Sequence, residues 1–106
     1  IVLMDPRRTD LARHAWRTLQ FKPDTDVALL NAMLHTILEE HLHDPAFIRD
    51  RTEDFDVLRR HVQDFAPERM AELCGIPAPT IREVARAYAQ ARSAMILWCR
   101  EPATPV

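Results

Sequence analysis

Ile1 to Met4 is an unbroken apolar run that stops at Asp5-Pro6. Proline has no backbone N–H to give to a sheet ladder, so a central strand cannot run through it. The stretch IVLMDPRRT therefore predicts a short buried strand closed by a polar turn, Asp5-Pro6-Arg7-Arg8-Thr9. In open α/β folds ligands bind beyond the carboxyl ends of the strands, which makes this turn a candidate site.

The rest of the chain narrows the classes of function. With 106 residues it is one domain at most, able to bury roughly two-thirds of its unfolded surface. Gly75 is the only glycine, against an ordinary usage of about 7%. Loops that cradle phosphate with backbone N–H groups usually need glycine, and neither GxGxxG nor GxxxxGK[ST] occurs, so a self-contained dinucleotide or P-loop site is not expected. A net charge of −2 and a pI near 6.2 point away from bulk nucleic-acid or anionic-membrane binding. Apolar runs fall short of the ~20 residues of a membrane span. No targeting segment is visible and the chain opens on Ile, so an internal piece of a cytoplasmic protein is expected. Cys74 and Cys99 lack metal-ligand spacing and are expected to be inert, reduced thiols.

Thr9 is placed to cap a short helix from Asp10 to about His14, with Leu11 facing inward. A second strand is expected around Leu19, between Trp16 and Phe21, parallel to the first in a compressed, right-handed βαβ unit. The clearest helix opens at Asp24-Thr25-Asp26, either Asp24 or Thr25 capping it, with Asp26 suiting its dipole. Val27, Leu30, Met33, Leu34, Ile37, Leu38 and Leu42 form its apolar stripe, leaving Asn31, His35, Glu39 and Glu40 mostly wet. A short helix follows at Asp44-Pro45, carrying Phe47 and Ile48 inward. Further helices are expected from Glu53 to Val62, from Pro67 to a stop at Gly75, and from Pro79 to about Ala91. They would bury Phe55, Leu58, Val62, Met70, Leu73, Ile81, Val84, Ala85 and Tyr88. Ser93 to Cys99 reads as a fully buried third strand, and Glu101 to Val106 as a frayed tail. The sum is a three-layer α/β fold with a small parallel sheet of about three strands flanked by about six helices.

With all strands parallel, one sheet edge would gather Asp5 to Thr9, Asp24 to Asp26 and the residues after Trp98. Carboxylates there can bond ribose hydroxyls or guanine nitrogens, and arginines can hold phosphate. The competing reading makes Asp5 and Asp26 turn and cap residues, with Arg7 and Arg8 solvated; the wider group Arg7, Arg8, Arg13, His14 and Arg17 would then be solvated or pair with Asp10 and Asp24. His41 and His43 lie two apart, share no helix face and have no cysteine beside them, so a solvated helix end is expected rather than a zinc site. Cys99 has no histidine beside it in sequence and reads as a small buried residue.

The same residues carry a resemblance. The stretches VLMDPRRTDLARHA, LQFKPDTDVALLNAMLHTILEEHL, DPAFIRDRTEDFDVLRRHV and IREVARAYAQARSAMILW resemble the large catalytic subunit of formate dehydrogenases, in the molybdopterin oxidoreductase family. DPRRT and TDVALLNAM are the strongest markers. The resemblance implies part of a Rossmann-like domain that holds one molybdopterin guanine dinucleotide. The segments matching Asp5, Pro6, Arg7, Arg8, Thr9 and Asp24, Thr25, Asp26 would lie against its guanosine end, Asp26 being the side-chain partner of the guanosine. The parent would oxidise formate to carbon dioxide and work with electron-transfer subunits. Residues 1–100 would be a partial cofactor-binding domain, and 101–106 a tail outside the family.

Two departures stand out. The family pattern is GTD where this chain has Asp24-Thr25-Asp26, and a Gly-rich WGMG where it reads Trp98-Cys99-Arg100-Glu101-Pro102. The family's iron–sulfur cysteines, its molybdenum-ligating cysteine or selenocysteine, and the adjacent His and Arg that handle formate are absent from these residues, so no catalytic or metal ligand is assigned and the chain by itself is expected to be inactive. The alternative expectation is a non-catalytic α/β interaction module, a homodimer paired through its sheet edges, that no longer binds cofactor.

Overall fold

A computed structural model describes residues 1–97. Strand β1 (Val2–Met4) and strand β2 (Arg17–Leu19) pair in parallel, Val2 opposite Arg17, Leu3 opposite Thr18 and Met4 opposite Leu19. A 3-10 helix (Asp10–His14) makes the crossover between them. Five helices follow: α1 (Asp26–Glu39), α2 (Pro45–Arg51), α3 (Phe55–Val62), α4 (Pro67–Cys74) and α5 (Ala78–Gln90). The fold is α/β, and among the described residues its sheet has two strands.

The expected third strand is corrected over the part that is described. Ser93 to Leu97 carries no strand, and Met95 and Leu97 are 81% and 87% exposed, so the apolar run there is not a core strand. Trp98, Cys99 and the tail lie outside the described residues.

The core is one cluster of Leu19, Phe21, Leu29, Ala32, Cys74, Ile76, Ile81 and Val84, with Val2, Met4, Ala28, Met33 and Met70 packed on it. Helix α1 lies centrally, touching α3, α4 and α5. Its buried residues are Leu29, Ala32, Thr36 and Leu38, which overlap the expected stripe only in part: Leu38 is buried and Met33 packs on the core, but Val27 and Leu30 are exposed. The helix is apolar on two faces, so periodicity alone does not choose between them. Thr36, the buried polar residue of that face, is satisfied by donating to the Ala32 carbonyl at 3.1 Å.

Several inward-facing expectations fail in the same way. Leu11, Phe47, Leu58, Leu73 and Tyr88 are exposed, and Ala12 is the buried residue of the 3-10 helix. Helix α2 buries no residue, and α3 and α4 bury only one and two, so apolar side chains on these short helices remain at the surface. Asp44 does cap α2, its carboxylate accepting the Phe47 N–H at 3.1 Å. Thr9 and Thr25 stand at N-cap positions but make no side-chain cap bond.

Helix α1 stops at Glu39, short of Leu42. His41 takes a left-handed conformation (φ +56°), and the N–H groups of His41 and Leu42 return to the carbonyls of Leu38 and Ile37. This is a Schellman ending with histidine where glycine is usual. His43 is half-buried with its ring centroid 5.6 Å from that of Phe55, rather than solvated.

A chain of polar contacts ties four helices together. His35 on α1 bonds the Val62 carbonyl ending α3 at 2.8 Å and Glu39 at 3.0 Å, and Arg82 on α5 reaches both Glu39 and Glu68 of α4. Arg86 adds a 2.7 Å bond to Glu40. The guanidinium groups of Arg86 and Arg82 hold the Glu40 and Glu68 carboxyls below their ordinary value of 4.5. Because the folded values are lowered, this stabilisation is present above the unfolded pKa and fades as pH falls through the folded one. The Tm should therefore decline on acidification from about pH 6 to about pH 3, and the Glu40→Gln, Glu68→Gln double variant should flatten that decline. Thermal melts at low salt measure it; an unchanged slope in the double variant would show that other carboxylates carry the acid sensitivity.

Candidate functional site

The parallel register sets the carboxyl ends of β1 and β2 side by side. Pairing extends one residue past β1, where the Asp5 N–H donates to the Leu19 carbonyl at 3.2 Å. One residue further on, the Gln20 side-chain amide donates to the Pro6 carbonyl at 3.2 Å and bridges the two exit segments. The Asp5-Thr9 turn and the chain leading to Asp24-Thr25-Asp26 thus leave from one sheet edge.

In the first turn one Asp5 carboxylate oxygen accepts the Arg7 N–H at 2.8 Å, the local bond that lets aspartate shape a turn. Arg7 and Arg8 are exposed and take part in no ion pair among the described residues. The rest of the basic group is engaged differently from expectation. Arg17 pairs with Glu83 at 2.9 Å and stacks over Trp16 at 4.4 Å, while Arg13 donates to the His14 ring at 3.3 Å. Neither Asp10 nor Asp24 is their partner.

The second turn runs from Lys22 to Thr25. The Thr25 N–H and hydroxyl both donate to the Lys22 carbonyl, at 3.2 and 2.6 Å. Pro23 occupies its second position, and Asp24 its third at φ +65°. Proline followed by a positive φ is the signature of a type II turn, in which the third position favours glycine. Asp24 is therefore a strained turn residue rather than a cap. Asp26 follows as the first, exposed residue of α1, where the helix dipole favours a carboxylate. Asp24→Gly should relieve the left-handed strain and stabilise the fold by up to about 1 kcal/mol. A higher urea midpoint measures this; a lower one would mean that the carboxylate itself holds the turn.

Sequence reasoning missed what this turn rests on. The Lys22 N–H donates to the Cys74 carbonyl at 2.8 Å, the Lys22 ammonium donates to the Glu72 carbonyl at 3.2 Å, and the Cys74 thiol faces the Thr25 carbonyl at 3.6 Å. Cys74 is fully buried, and burial pushes its thiol pKa up from 9.0. The stop of α4 at Gly75 is legible in sequence; its contact with a turn fifty residues earlier is not.

Comparison with known proteins supplies the chain's relatives. No protein-family model matches the chain. It is 46% identical over 98 residues to formate dehydrogenase H of Escherichia coli, covering 92% of this chain and 14% of that protein. It is 40% identical over 99 residues to the F420-dependent formate dehydrogenase subunit alpha of Methanocaldococcus jannaschii, covering 93% of this chain and 15% of that subunit. The fold superposes on acetylene hydratase from Pelobacter acetylenicus with a TM-score of 0.88 at 34% identity, over 92% of this chain and 14% of that one. These relatives are formate dehydrogenases and related molybdopterin oxidoreductases. They include formate dehydrogenase alpha subunits and nitrate reductases, and the chain spans about one-seventh of the length of these proteins.

Proposed function

We propose that this chain is the part of a formate-dehydrogenase-like subunit that supplies the guanosine-side binding edge for molybdopterin guanine dinucleotide. The observation that carries the reading is that the Asp5–Thr9 turn and the segment leading to Asp24–Asp26 leave side by side from the carboxyl ends of adjacent parallel strands, where open α/β folds take their ligands. The donor and acceptor chemistry fits the group. Asp26 offers an exposed carboxylate to the guanine edge, Asp5 and the backbone of Pro6 and Thr9 shape the first turn, and Arg7 and Arg8 are exposed and can offer their guanidinium groups to the diphosphate. Thr25 orders the second turn, and Asp24 adds a carboxylate that opposes the phosphates.

The relatives support a binding rather than a catalytic role. By name, they include formate dehydrogenases and a hydratase, so a segment they share is suited to what those enzymes have in common. When bound, the cofactor supplies the redox chemistry, and this chain's residues supply position and charge. In the parent that chemistry would take formate to carbon dioxide and pass electrons to partner subunits.

The test is titration of the 106-residue chain with GDP, followed by amide NMR, with ADP as the control. Saturable shifts at residues 5–9 and 24–26, absent with ADP, are the expected result. Asp26→Ala should weaken GDP about tenfold or more, the cost of losing a charged hydrogen-bond acceptor. No GDP binding at millimolar concentration would remove this reading.

A further inference from the structure

We propose that the carboxyl end of α4 is the positioning element of the second turn, with Cys74 setting where Asp26 stands. The proposal rests on the reading of the edge given above. Residue 74 is bonded to both ends of the turn. Its carbonyl accepts the N–H of Lys22, the first residue, at 2.8 Å, and its thiol reaches the carbonyl of Thr25, the last, at 3.6 Å. That same Thr25 carbonyl accepts the Leu29 N–H at 3.0 Å, the first rung of α1. Cys74 therefore grips the turn at the atom from which the helix carrying Asp26 begins.

The grip is anchored from behind. Cys74 belongs to the fully buried core with Leu29 and Ile81. Gly75 turns the chain at φ +75°, and the Lys22 stem lies across it, 3.3 Å from where a Cβ would stand. A side chain at 75 would crowd the Lys22 stem, which must give by a few tenths of an ångström. Hydrogen bonds to a ligand weaken within a few tenths of an ångström, so the position of the turn bears directly on what Asp26 can hold. The thiol is suited to the place because it is small and apolar enough for the core yet still donates.

Four versions of the full chain separate this role from bulk stability: wild type, Cys74→Ala, Cys74→Ser and Val62→Ala, a core deletion at the far end of α3. Each is titrated with GDP, and hydrogen exchange is followed at the Lys22 and Leu29 amides. Cys74→Ala should weaken GDP about threefold to tenfold and speed exchange at both amides, the effect of one neutral hydrogen bond. Cys74→Ser, which keeps a donor, should stay within about twofold of wild type. Val62→Ala should lower stability without changing GDP affinity. Wild-type affinity in Cys74→Ala overturns the proposal, as does an equal loss in Val62→Ala. A wild type that binds no GDP fails differently: it removes the reading of the edge, and this proposal with it.

Discussion

Leu29→Ala should destabilise the protein by about 3 kcal/mol, within the range for a fully buried leucine that leaves a cavity behind. Leu29 has no exposed surface and sits where α1 meets the Leu19, Ile81 and Val84 side chains of the core cluster. Small domains hold only about 5–15 kcal/mol in total, so the loss should lower the Tm by on the order of 10–20 °C. The neighbouring substitution makes the prediction sharp. Leu30 is 48% exposed, and Leu30→Ala should change stability by about 0.5 kcal/mol or less. Urea unfolding of the two variants measures the difference. Equal losses would mean that both faces of α1 are covered in solution.

Gly75→Val should cost about 2–3 kcal/mol and act at a distance on the second turn. A β-branched residue at φ +75° is a backbone outlier, which alone accounts for much of the cost. Its Cβ would also stand 3.3 Å from the Lys22 stem, which must give by a few tenths of an ångström and so disturbs its bond to the Glu72 carbonyl. Gly75→Asn, which tolerates the left-handed region, should cost less than Val at the same site, isolating the backbone share. Denaturant midpoints measure the totals, and chemical-shift changes at Lys22 and Thr25 report the displaced turn. A Val variant as stable as wild type would mean that α4 can end without the left-handed residue.

The same contacts give the alkaline limb a sign. Burial raises the Cys74 thiol pKa, so its contribution to stability is complete below the unfolded value and fades as pH climbs through the folded one. Deprotonation also removes the donor facing Thr25.

Chain order, the positions of β1 and β2, and the helix starts were legible because they depend on neighbours in sequence. Pro6 must end a strand, Pro45 with Asp44 must open a helix, and Gly75 must close one, whatever surrounds them. The parallel pairing of β1 with β2 followed from the short crossover between them. The resemblance to formate dehydrogenase subunits came from the same local patterns, DPRRT and TDVALLNAM. Which face of α1 is buried could not be read, because Leu29 and Leu30 are equally apolar and only α4 and α5 distinguish them. Nor could the run Ser93 to Leu97 be judged, since an apolar strand is buried only if a sheet edge receives it. At the candidate edge, the sequence by itself determined the acidic turns and the residues within them. Only the tertiary structure decided that Asp24 stands in left-handed backbone and that the carboxyl end of α4 holds its turn, because the hydrogen bonds from the Lys22 N–H to the Cys74 carbonyl and from the Cys74 thiol to the Thr25 carbonyl depend on packing between segments fifty residues apart.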